Sequence, residues 1–356
     1  MNAVHSTAIS APAAGVDGLE AIMRRGGAEL RRRMVRIEQH LERVTACAGT
    51  PLATHANATV VAGGKRLRPL LVVLAAESAG GPVGGPSDSP GGEERLVRAA
   101  VAVELVHSAT LVHDDLIDGA LLRRGQPTVA ATAGRTMAVA TGDLLFSRAF
   151  AELARNEDPA QLRALSQASS ALAQGELLQR EDTFAAQVAV ERYLLRCELK
   201  TAALFEAACR LGALTGSQGS PALADELGAF ARRIGLAFQM FDDVLDVSGP
   251  VERTGKSRGT DLLDGTVTLP LILARERDPE LAAFELASLG GVDGVGAVHK
   301  AEQLCDRIAA TGALDEARER ALAVVADAKA ALPAILPNGR STLLGLVADA
   351  VVERYR

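Results

Sequence analysis

The sequence predicts an all-α protein. Of its 356 residues, 48% are hydrophobic, but only 3% are aromatic and none is tryptophan. A core of this composition must be built from alanine, leucine and valine, which favours closely packed helices over the β-branched and aromatic strands of sandwiches and barrels. Apolar residues recur at helical spacing along most of the chain, and no run of alternating β-branched residues occurs.

The helical patterns follow one another along the chain. The first runs from about Leu19 to Val44, with charged residues between its apolar positions. The second, from Arg95 to Asp118, is unusually apolar and is typical of a helix buried in a core. Further helices are predicted at 141–155, 160–184, 188–214, 221–248, 269–276, 297–311, 313–330 and 341–355.

The chain is predicted to hold a single domain, from residue 18 to residue 356. Residues 1–17 have neither the basic start nor the apolar run of a signal peptide, and we expect a disordered tail there. The stretch 80–94, "GGPVGGPSDSPGGEE", is so rich in glycine, proline and serine that it predicts a flexible loop. We interpret this loop as an excursion from the domain and not as a boundary.

Charge and cysteine content exclude several classes of function. A net charge of −6 argues against a nucleic-acid binder, which needs a basic surface. The apolar segments are broken by charges before they reach the ~20 residues of a membrane-spanning helix, so no span is expected. The absence of CxxC pairing indicates reduced thiols in a cytoplasmic protein for the four cysteines, Cys47, Cys197, Cys209 and Cys305.

Two aspartate clusters with the spacing DDxxD each close an apolar helix. They are Asp114, Asp115 and Asp118 in "HDDLID", and Asp242, Asp243 and Asp246 in "FQMFDDVLD". The first and last aspartates of such a motif lie one helical turn apart on one face, where like charges repel. One cluster alone fits a solvated acidic patch, but two predict helices that face each other across a cavity with metal ions between them. Mg²⁺ takes oxygen ligands and typically bridges one or two carboxylates to substrate phosphates.

Basic residues are gathered in short motifs that suit an anion. They are Lys65, Arg66 and Arg68 in "GGKRLRP", Arg123 and Arg124 in "RRG", and, further on, Lys200 and Lys256. Arginine offers a planar fork to phosphate oxygens and lysine a point charge, while Gly63–Gly64 would let the backbone approach an anion closely. The sequence has no GxxxxGK[ST] loop and no convincing GxGxxG, so a nucleotide is not expected. A diphosphate attached to a hydrocarbon fits both the charges and the apolar helices.

From about residue 20 onward the chain resembles the trans-isoprenyl (polyprenyl) diphosphate synthases. The family's motifs occur in the same order, as "GGKRLRP" (63–69), "HDDLID" (113–118), "RRG" (123–125), "GDLLF" (142–146), "KT" (200–201), "FQMFDDVLD" (238–246), "GKSRGTDL" (255–262) and "TLPLI" (268–272). The resemblance implies an isoprenoid synthase-type helical bundle around a deep central cavity, usually in a homodimer. It also implies that Mg²⁺, with three ions in each active site, assists the ionisation of an allylic diphosphate, and that isopentenyl diphosphate attacks the resulting cation.

The resemblance assigns roles to individual residues. Mg²⁺ would be bound by Asp114, Asp118 and Asp242, with Asp115, Asp243 and Asp246 as direct or water-mediated ligands of the same clusters. The allylic diphosphate would meet Arg123, Lys200 and Lys256. Isopentenyl diphosphate would be held by Lys65, Arg68, His107 and Arg124, with Arg66 close by. Thr201 and Gln239, together with Lys200, would line the reacting centre. His107 also fits a histidine of the core. At one position, where many members carry lysine, this chain has Thr266, which removes one cation near the allylic diphosphate.

Two other interpretations use the same chemistry differently. A class I terpene cyclase also ionises an allylic diphosphate, but its second metal motif usually carries Asn, Ser and Glu, whereas the second motif here is another DDxxD. A non-catalytic partner subunit of a heteromeric synthase typically loses aspartates, and this chain keeps all six. The sequence therefore favours the synthase.

The length of the product is predicted from side chains along the helix that ends in the first cluster. Each turn rises ~5.4 Å, about the length of one isoprene unit, so each turn can act as a gate for a tail that grows away from the metals. Short-chain members tend to place Phe or Tyr one turn before the aspartates, where this chain has Ala109 and Thr110. Phe146 and Phe150 are candidates for the floor. We therefore favour a long-chain polyprenyl product, with geranylgeranyl diphosphate as the alternative.

Overall fold

The computed structural model describes residues 16–46, 50–81, 90–249, 258–291, 294–336, 339 and 341–353. Almost all of the tail predicted for 1–17 lies outside these residues, as does 82–89 of the predicted loop. The remainder of that loop differs from the prediction, because a helix already begins at Pro90 and includes 90–94. Proline suits the first turn of a helix, where its missing N–H would have no intrahelical partner.

The described chain is built almost entirely from helices, so the prediction of an all-α protein is confirmed. The α-helices, in chain order, are α1 Val16–Arg25, α2 Gly27–Thr45, α3 Pro51–Val61, α4 Leu67–Ser78, α5 Pro90–Ile117, α6 Val129–Ala154, α7 Pro159–Glu181, α8 Val190–Cys197, α9 Ala203–Thr215, α10 Pro221–Ser248, α11 Thr260–Leu263, α12 Leu269–Arg277, α13 Pro279–Ala283, α14 Gly294–Ala310, α15 Ala313–Ile335 and α16 Thr342–Glu353. A π-helix, Glu198–Ala202, joins α8 to α9, and a 3₁₀ helix spans Leu286–Gly291. The sheet structure in the described residues is a two-stranded ribbon, β1 Leu122–Arg123 with β2 Gln126–Pro127.

Three helical features differ from the sequence prediction. The single helix expected over 19–44 is divided into α1 and α2, because Gly27 takes a positive φ of 73° that only glycine adopts without strain. Helices α3 and α4 were not predicted. The Thr50 side chain caps α3 by accepting a hydrogen bond from the backbone N–H of Ala53. Helix α3 is short and has no long apolar stripe, so its sequence gave no clear helical signal. In α4 almost every residue is buried, which hides the helical period.

Helix α5 lies at the centre of the bundle and carries the first aspartate cluster. It packs chiefly on α6, and also on α4, α9 and α2. Helix α10, which carries the second cluster, packs on α9 and α15. Small residues let these helices come close: a Cβ on Gly212 of α9 would lie 2.1 Å from the carbonyl oxygen of Val72 in α4. The alanine-rich composition therefore serves close helix–helix contact.

Among the described residues, one segment is long and apolar enough to cross a membrane. This is Gly91–Ile117 of α5. We expected charges to break every apolar segment before it reached the length of a membrane span, and for this helix that expectation is wrong by length and composition. However, 72% of its most apolar window is buried inside the protein. The segment is thus the core helix that the sequence predicted.

Candidate active site

The first aspartate cluster lies at the carboxyl end of α5, where two of its members are paired with arginines. Asp115 is buried and accepts a hydrogen bond of 2.6 Å from Nε of Arg123 in the β-ribbon. Asp118 is more exposed and forms an ion pair with Arg180, which comes from α7. Asp114 lies between them on the wall of a cavity. The cluster is therefore neutralised in part by the protein itself.

The second cluster, on α10, is more deeply enclosed. Asp243 is only 4% exposed and accepts hydrogen bonds from the Tyr193 hydroxyl at 2.7 Å and from the Gln239 amide nitrogen at 2.8 Å. Asp246 accepts from the backbone N–H of Asp261 at 3.2 Å. The hydrogen-bond donors to Asp243 are neutral, so they orient its carboxylate without cancelling its charge.

Burial and crowding raise the pKa of several of these carboxyl groups. The pKa of Asp114 rises to about 6, chiefly because of burial and further because of Glu176 and Asp118, against the opposing effect of Lys200. The pKa of Asp243 rises to about 7, again chiefly because of burial. Burial and then the neighbouring carboxylates also raise the pKa of Asp261 well above its usual value. Such shifts reflect chiefly the cost of burying a charged carboxylate, a cost that a bound cation would offset.

Two cavities adjoin the clusters and share three lining residues, Lys200, Thr201 and Gln239. The arginine-side cavity, of about 550 Å³, is lined by Arg68, His107, Arg123 and Arg124, with Asp114 and Asp242 at its edge. The aspartate-side cavity, of about 240 Å³, is lined by five carboxylates, Asp118, Asp243, Asp246, Asp261 and Asp264. The residues expected at the reacting centre therefore lie where a strongly basic space meets a strongly acidic one.

The basic wall of the arginine-side cavity holds two arginines without a carboxylate partner among the described residues. The buried Nε of Arg68 has no hydrogen-bond partner, and its guanidinium lies 4.9 Å from the centre of the Phe205 ring. Burial lowers the pKa of Arg68 to about 10 and lowers that of Arg124 as well. His107 has a pKa well below its usual value because of burial and the surrounding arginines, so it is neutral. An anion would satisfy these donors.

Local backbone geometry explains how Arg124 reaches this wall. Arg124 and Gly125 form the two-residue turn of the ribbon, with φ of 53° and 75°, as a type I′ hairpin turn requires. A Cβ on Gly64 would lie 3.1 Å from a guanidinium nitrogen of Arg124. The expectation that Gly63–Gly64 admits an anion is thus modified, because Gly64 makes room for the arginine.

Arg66 has a structural environment that differs from that of its neighbour Arg68. Its guanidinium donates to Glu38 at 2.6 Å, to the buried Glu104 at 2.8 Å and to the carbonyl oxygen of Val60 at 2.8 Å. Arg66 borders the arginine-side cavity, but these contacts tie α2, α3 and α5 together. The guanidinium of Arg66 is therefore engaged, whereas that of Arg68 is available.

The π-helix places the residues at the junction of the two cavities. Its wider turn points Lys200 and Thr201 toward both spaces, and such turns often occur at functional sites. Lys200 pairs with Glu176 of α7, and the Thr201 hydroxyl donates to the side-chain amide oxygen of Gln239 at 2.7 Å. Gly175 permits the close approach of α7, since a Cβ there would lie 2.6 Å from the Lys200 backbone nitrogen.

The remaining predicted residues are not all at the cavities. Lys65 is exposed and borders the arginine-side cavity, while Lys256 lies outside the described residues. Of the four chain-length candidates, Thr110 lines that cavity and Ala109 is fully buried in the core. The other two, Phe146 and Phe150, are half-buried against the core and do not line either cavity, and the Phe146 ring packs on His113 with centroids 6.0 Å apart.

Several residues at the site were not predicted from the sequence. They are Glu176, Arg180, Tyr193 and Asp261. The spacing of Glu176 and Arg180, four residues apart on one helix face, resembles an ordinary surface pair and gave no signal. Asp261 lies within the "GKSRGTDL" motif, which could have directed attention to it.

The donor set fits a hard divalent cation shared with a ligand. No group of three His, Cys, Asp or Glu residues in the described ranges converges closely enough to hold an ion alone. Asp114 and Asp242 nevertheless border one cavity, and their oxygens are the ligands that Mg²⁺ prefers. Because Mg²⁺ commonly completes its shell with water and substrate phosphate, carboxylates at the edge of a cavity suit it better than a closed cage.

A helical bundle with an acidic and a basic cavity that meet beside an apolar core defines an enzyme that acts on a diphosphate. A family model described as "Polyprenyl synthetase" matches residues 50–304. The chain belongs to the polyprenyl synthetase family, whose members are prenyltransferases that use Mg²⁺. The resemblance noted from the motifs is thereby confirmed.

Relatives and solved structures support this assignment over most of the chain. The chain is 37% identical over 282 residues to heptaprenyl diphosphate synthase component 2 of Geobacillus stearothermophilus, covering 76% of this chain and 85% of the relative. It is 35% identical over 300 residues to geranylgeranyl diphosphate synthase of Methanosarcina mazei, covering 83% and 87%. The crystal structure of a Caulobacter crescentus polyprenyl synthase, complexed with calcium and isoprenyl diphosphate, superposes with a TM-score of 0.82 at 32% identity and covers 98% of this chain and 100% of the other.

Proposed function

We propose that this prenyltransferase adds isopentenyl diphosphate to an allylic diphosphate and releases a long-chain all-trans polyprenyl diphosphate. The allylic diphosphate lies beside the aspartates where the two cavities meet, and isopentenyl diphosphate lies in the arginine-side cavity. The observation that carries the proposal is the meeting of these two spaces at Lys200, Thr201 and Gln239. Two diphosphates bound in this way bring their hydrocarbon ends together at one point.

The metal is assigned to the aspartates that border the cavities. Asp114, Asp118 and Asp242 hold Mg²⁺, with the other three aspartates as further or water-mediated ligands, and three ions serve each site. Held by these residues, Mg²⁺ would supply positive charge to the leaving diphosphate and so assist its ionisation. The position of Asp114 and Asp242 on the wall of one cavity supports this assignment, because Mg²⁺ commonly shares carboxylate oxygens with a substrate phosphate. The Caulobacter structure, with calcium and isoprenyl diphosphate, supports a divalent cation at such a site.

The chain's own residues bind and orient the two substrates, and they exclude water from the reacting centre. Arg68, Arg124 and the neutral His107 hold isopentenyl diphosphate through donors that no described residue satisfies. Lys200 and Arg123 face the allylic diphosphate, and Lys256 joins them. The Thr201–Gln239 hydrogen bond fixes both polar groups beside the reacting carbon atoms. Leu111, Leu172, Leu204 and Phe238 give the arginine-side cavity apolar walls, which keep water from a reactive allylic cation.

The length of the product is inferred from small residues on α5. Thr110 lines the arginine-side cavity one turn before the first cluster, so α5 itself places a small side chain there. The relatives include both a heptaprenyl and a geranylgeranyl diphosphate synthase, and they do not discriminate between the two product classes. We favour the long-chain product, and we further propose a homodimer as the assembly.

The test is turnover of labelled isopentenyl diphosphate with farnesyl diphosphate and Mg²⁺. Linear products longer than geranylgeranyl diphosphate are the expected result. Geranylgeranyl diphosphate alone would overturn the proposed length, and cyclic hydrocarbons would indicate a terpene cyclase. Silence of the isolated chain, followed by activity after a second subunit is added, would show that it is a component of a heteromeric synthase, as the name of the Geobacillus relative indicates for that protein.

A further inference from the structure

Arg180 is a cation that the sequence motifs did not include, and it lies inside the aspartate-side cavity. It comes from α7, one turn after Glu176, and its guanidinium pairs with Asp118 and with Glu176. The side chain is 36% exposed, so it can change its direction without disturbing the core. Arg180 thus covers a carboxylate that the proposed function assigns to a metal ion.

The other cations on the wall of that cavity are held more firmly. Arg196 is only 4% exposed and donates to the carbonyl oxygen of Val267 at 2.5 Å and to Asp182 at 3.4 Å. Lys200 is a residue of the π-helix, and its ammonium group pairs with Glu176, which also pairs with Arg180. Among the described residues that line this cavity, Arg180 is therefore the cation best placed to exchange one partner for another.

We infer that Arg180 exchanges its partner during the catalytic cycle. In the metal-free protein it neutralises Asp118; when a divalent cation takes Asp118, the guanidinium turns to the allylic diphosphate and donates to its oxygens. This inference rests on the proposed function of the same cavity. Thr266, which lines the same cavity, contributes only a hydroxyl group, so Arg180 can supply positive charge that this position lacks. Its planar fork suits a diphosphate that has just gained negative charge.

If Arg180 exchanges partners, its removal should strengthen the binding of the metal alone and weaken the binding of the allylic diphosphate. Arg180→Ala frees Asp118, so the metal alone binds more tightly, roughly two- to fivefold, which is the range of an exposed ion pair. The same substitution removes a charge-assisted hydrogen bond to the diphosphate, so the KM for the allylic substrate rises roughly 10-fold or more, while the KM for isopentenyl diphosphate changes little. A purely structural role for Arg180 would weaken both kinds of binding.

The first measurement needs no turnover. Mn²⁺, which takes the same oxygen ligands, is titrated into the metal-free protein without substrate, and the free ion is followed by electron paramagnetic resonance. The matched control is Arg192→Ala, which removes the same charge from an arginine that pairs with Glu181 and Asp182 and does not line the cavity. We expect tighter Mn²⁺ binding in Arg180→Ala than in Arg192→Ala. Equal or weaker binding in Arg180→Ala would overturn the exchange.

The second measurement is the KM for each substrate, with Thr266→Lys as a rescue. A lysine introduced at position 266 into the Arg180→Ala variant should restore most of the lost affinity for the allylic diphosphate. An unchanged KM in Arg180→Ala, in an active wild-type enzyme, would refute the inference and leave the proposed function intact. Absence of turnover in the wild type would refute the proposed function, and the Mn²⁺ titration would then decide separately whether Arg180 competes for Asp118.

Discussion

The two aspartate clusters have the same spacing, but the protein treats them differently. In the first, Asp115 and Asp118 are paired with Arg123 and Arg180, two cations from outside α5. In the second, Asp243 is buried and receives hydrogen bonds from neutral groups. The arginines paired with the first cluster are partly exposed and can give way to metal ions, whereas the neutral donors to Asp243 orient its carboxylate without adding positive charge. Identical motifs therefore have distinct electrostatic states.

The sharpest test of the comparison removes the first aspartate of each cluster. Asp114→Ala and Asp242→Ala should each reduce kcat by at least about 10³-fold, because each loses a group that stabilises charge development. Their thermal stability should be retained, since each substitution also relieves like-charge repulsion. Steady-state kinetics in saturating Mg²⁺, with thermal unfolding as the control, measure both. Near-wild-type turnover in either variant would show that the clusters do not share the metals.

The next test asks whether the arginine-side cavity serves the second substrate. Arg124→Ala should raise the KM for isopentenyl diphosphate roughly 10- to 100-fold, because one charge-assisted hydrogen bond is lost, and should affect the allylic substrate less. Arg66→Ala is the informative contrast, since it leaves the buried Glu104 without its partner and should lower stability by about 3 kcal/mol. An equal rise in both KM values for Arg124→Ala would contradict the assignment of the two cavities.

A smaller effect distinguishes the clusters by pH. A carboxyl group whose pKa is raised in the folded state binds its proton more tightly there than in the unfolded chain. The contribution of Asp243 to stability is therefore full below pH about 4 and is lost as the pH rises through about 7. In metal-free protein, the melting temperature of Asp243→Asn relative to wild type should increase by a few degrees between pH 5 and 8.

Asp118→Asn serves as the control for that pH series, because it loses only a partly exposed ion pair worth about 0–1 kcal/mol. Its melting temperature relative to wild type should change little over the same range. If the two variants behaved alike, the proposed difference between the arginine-paired Asp118 and the buried Asp243 would be wrong.

The smallest expected effect on activity accompanies a change in product length. Thr110→Phe places a ring in the arginine-side cavity and should shorten the main product while leaving kcat within about tenfold, since the catalytic residues are untouched. Ala109→Phe instead overpacks the core and should cost about 1–3 kcal/mol of stability. Chromatography of the products and thermal unfolding report the two outcomes. A product of unchanged length in Thr110→Phe would show that the tail follows another path.

The all-α fold and the two acidic helix ends of the site could be predicted from the sequence because both depend on local signals. The apolar period marks α5 and α10, and the DDxxD spacing marks their acidic ends. The functions of neighbours in one motif could not be separated in this way. Arg66 and Arg68 are two residues apart, yet one joins three helices and the other presents an unsatisfied donor to the cavity. That difference arises from tertiary packing, which pattern and propensity do not contain.

The ion-pair partners of the site illustrate the same limit at longer range. Glu176 and Arg180 read as an exposed helical pair, and only the approach of α7 to α5 and to the π-helix brings them to Asp118 and Lys200. Tyr193 reads as a core aromatic, and its hydroxyl reaches Asp243 only because α8 packs beside α10. In each case the chemistry depends on which helices become neighbours.

The π-helix at Glu198–Ala202 rotates the residues of α9 about the helix axis relative to those of α8. Each residue of an α-helix advances about 100° around the axis, so the extra residue of a π turn rotates everything after it by about that angle. Deleting one residue within 198–202 would yield a smoother helix from Val190 to Thr215, but Phe205 would turn away from Arg68 and Thr201 from Gln239. The more regular helix would therefore lose contacts at the site. The π turn is what orients Thr201 and Phe205 toward their partners on the neighbouring helices.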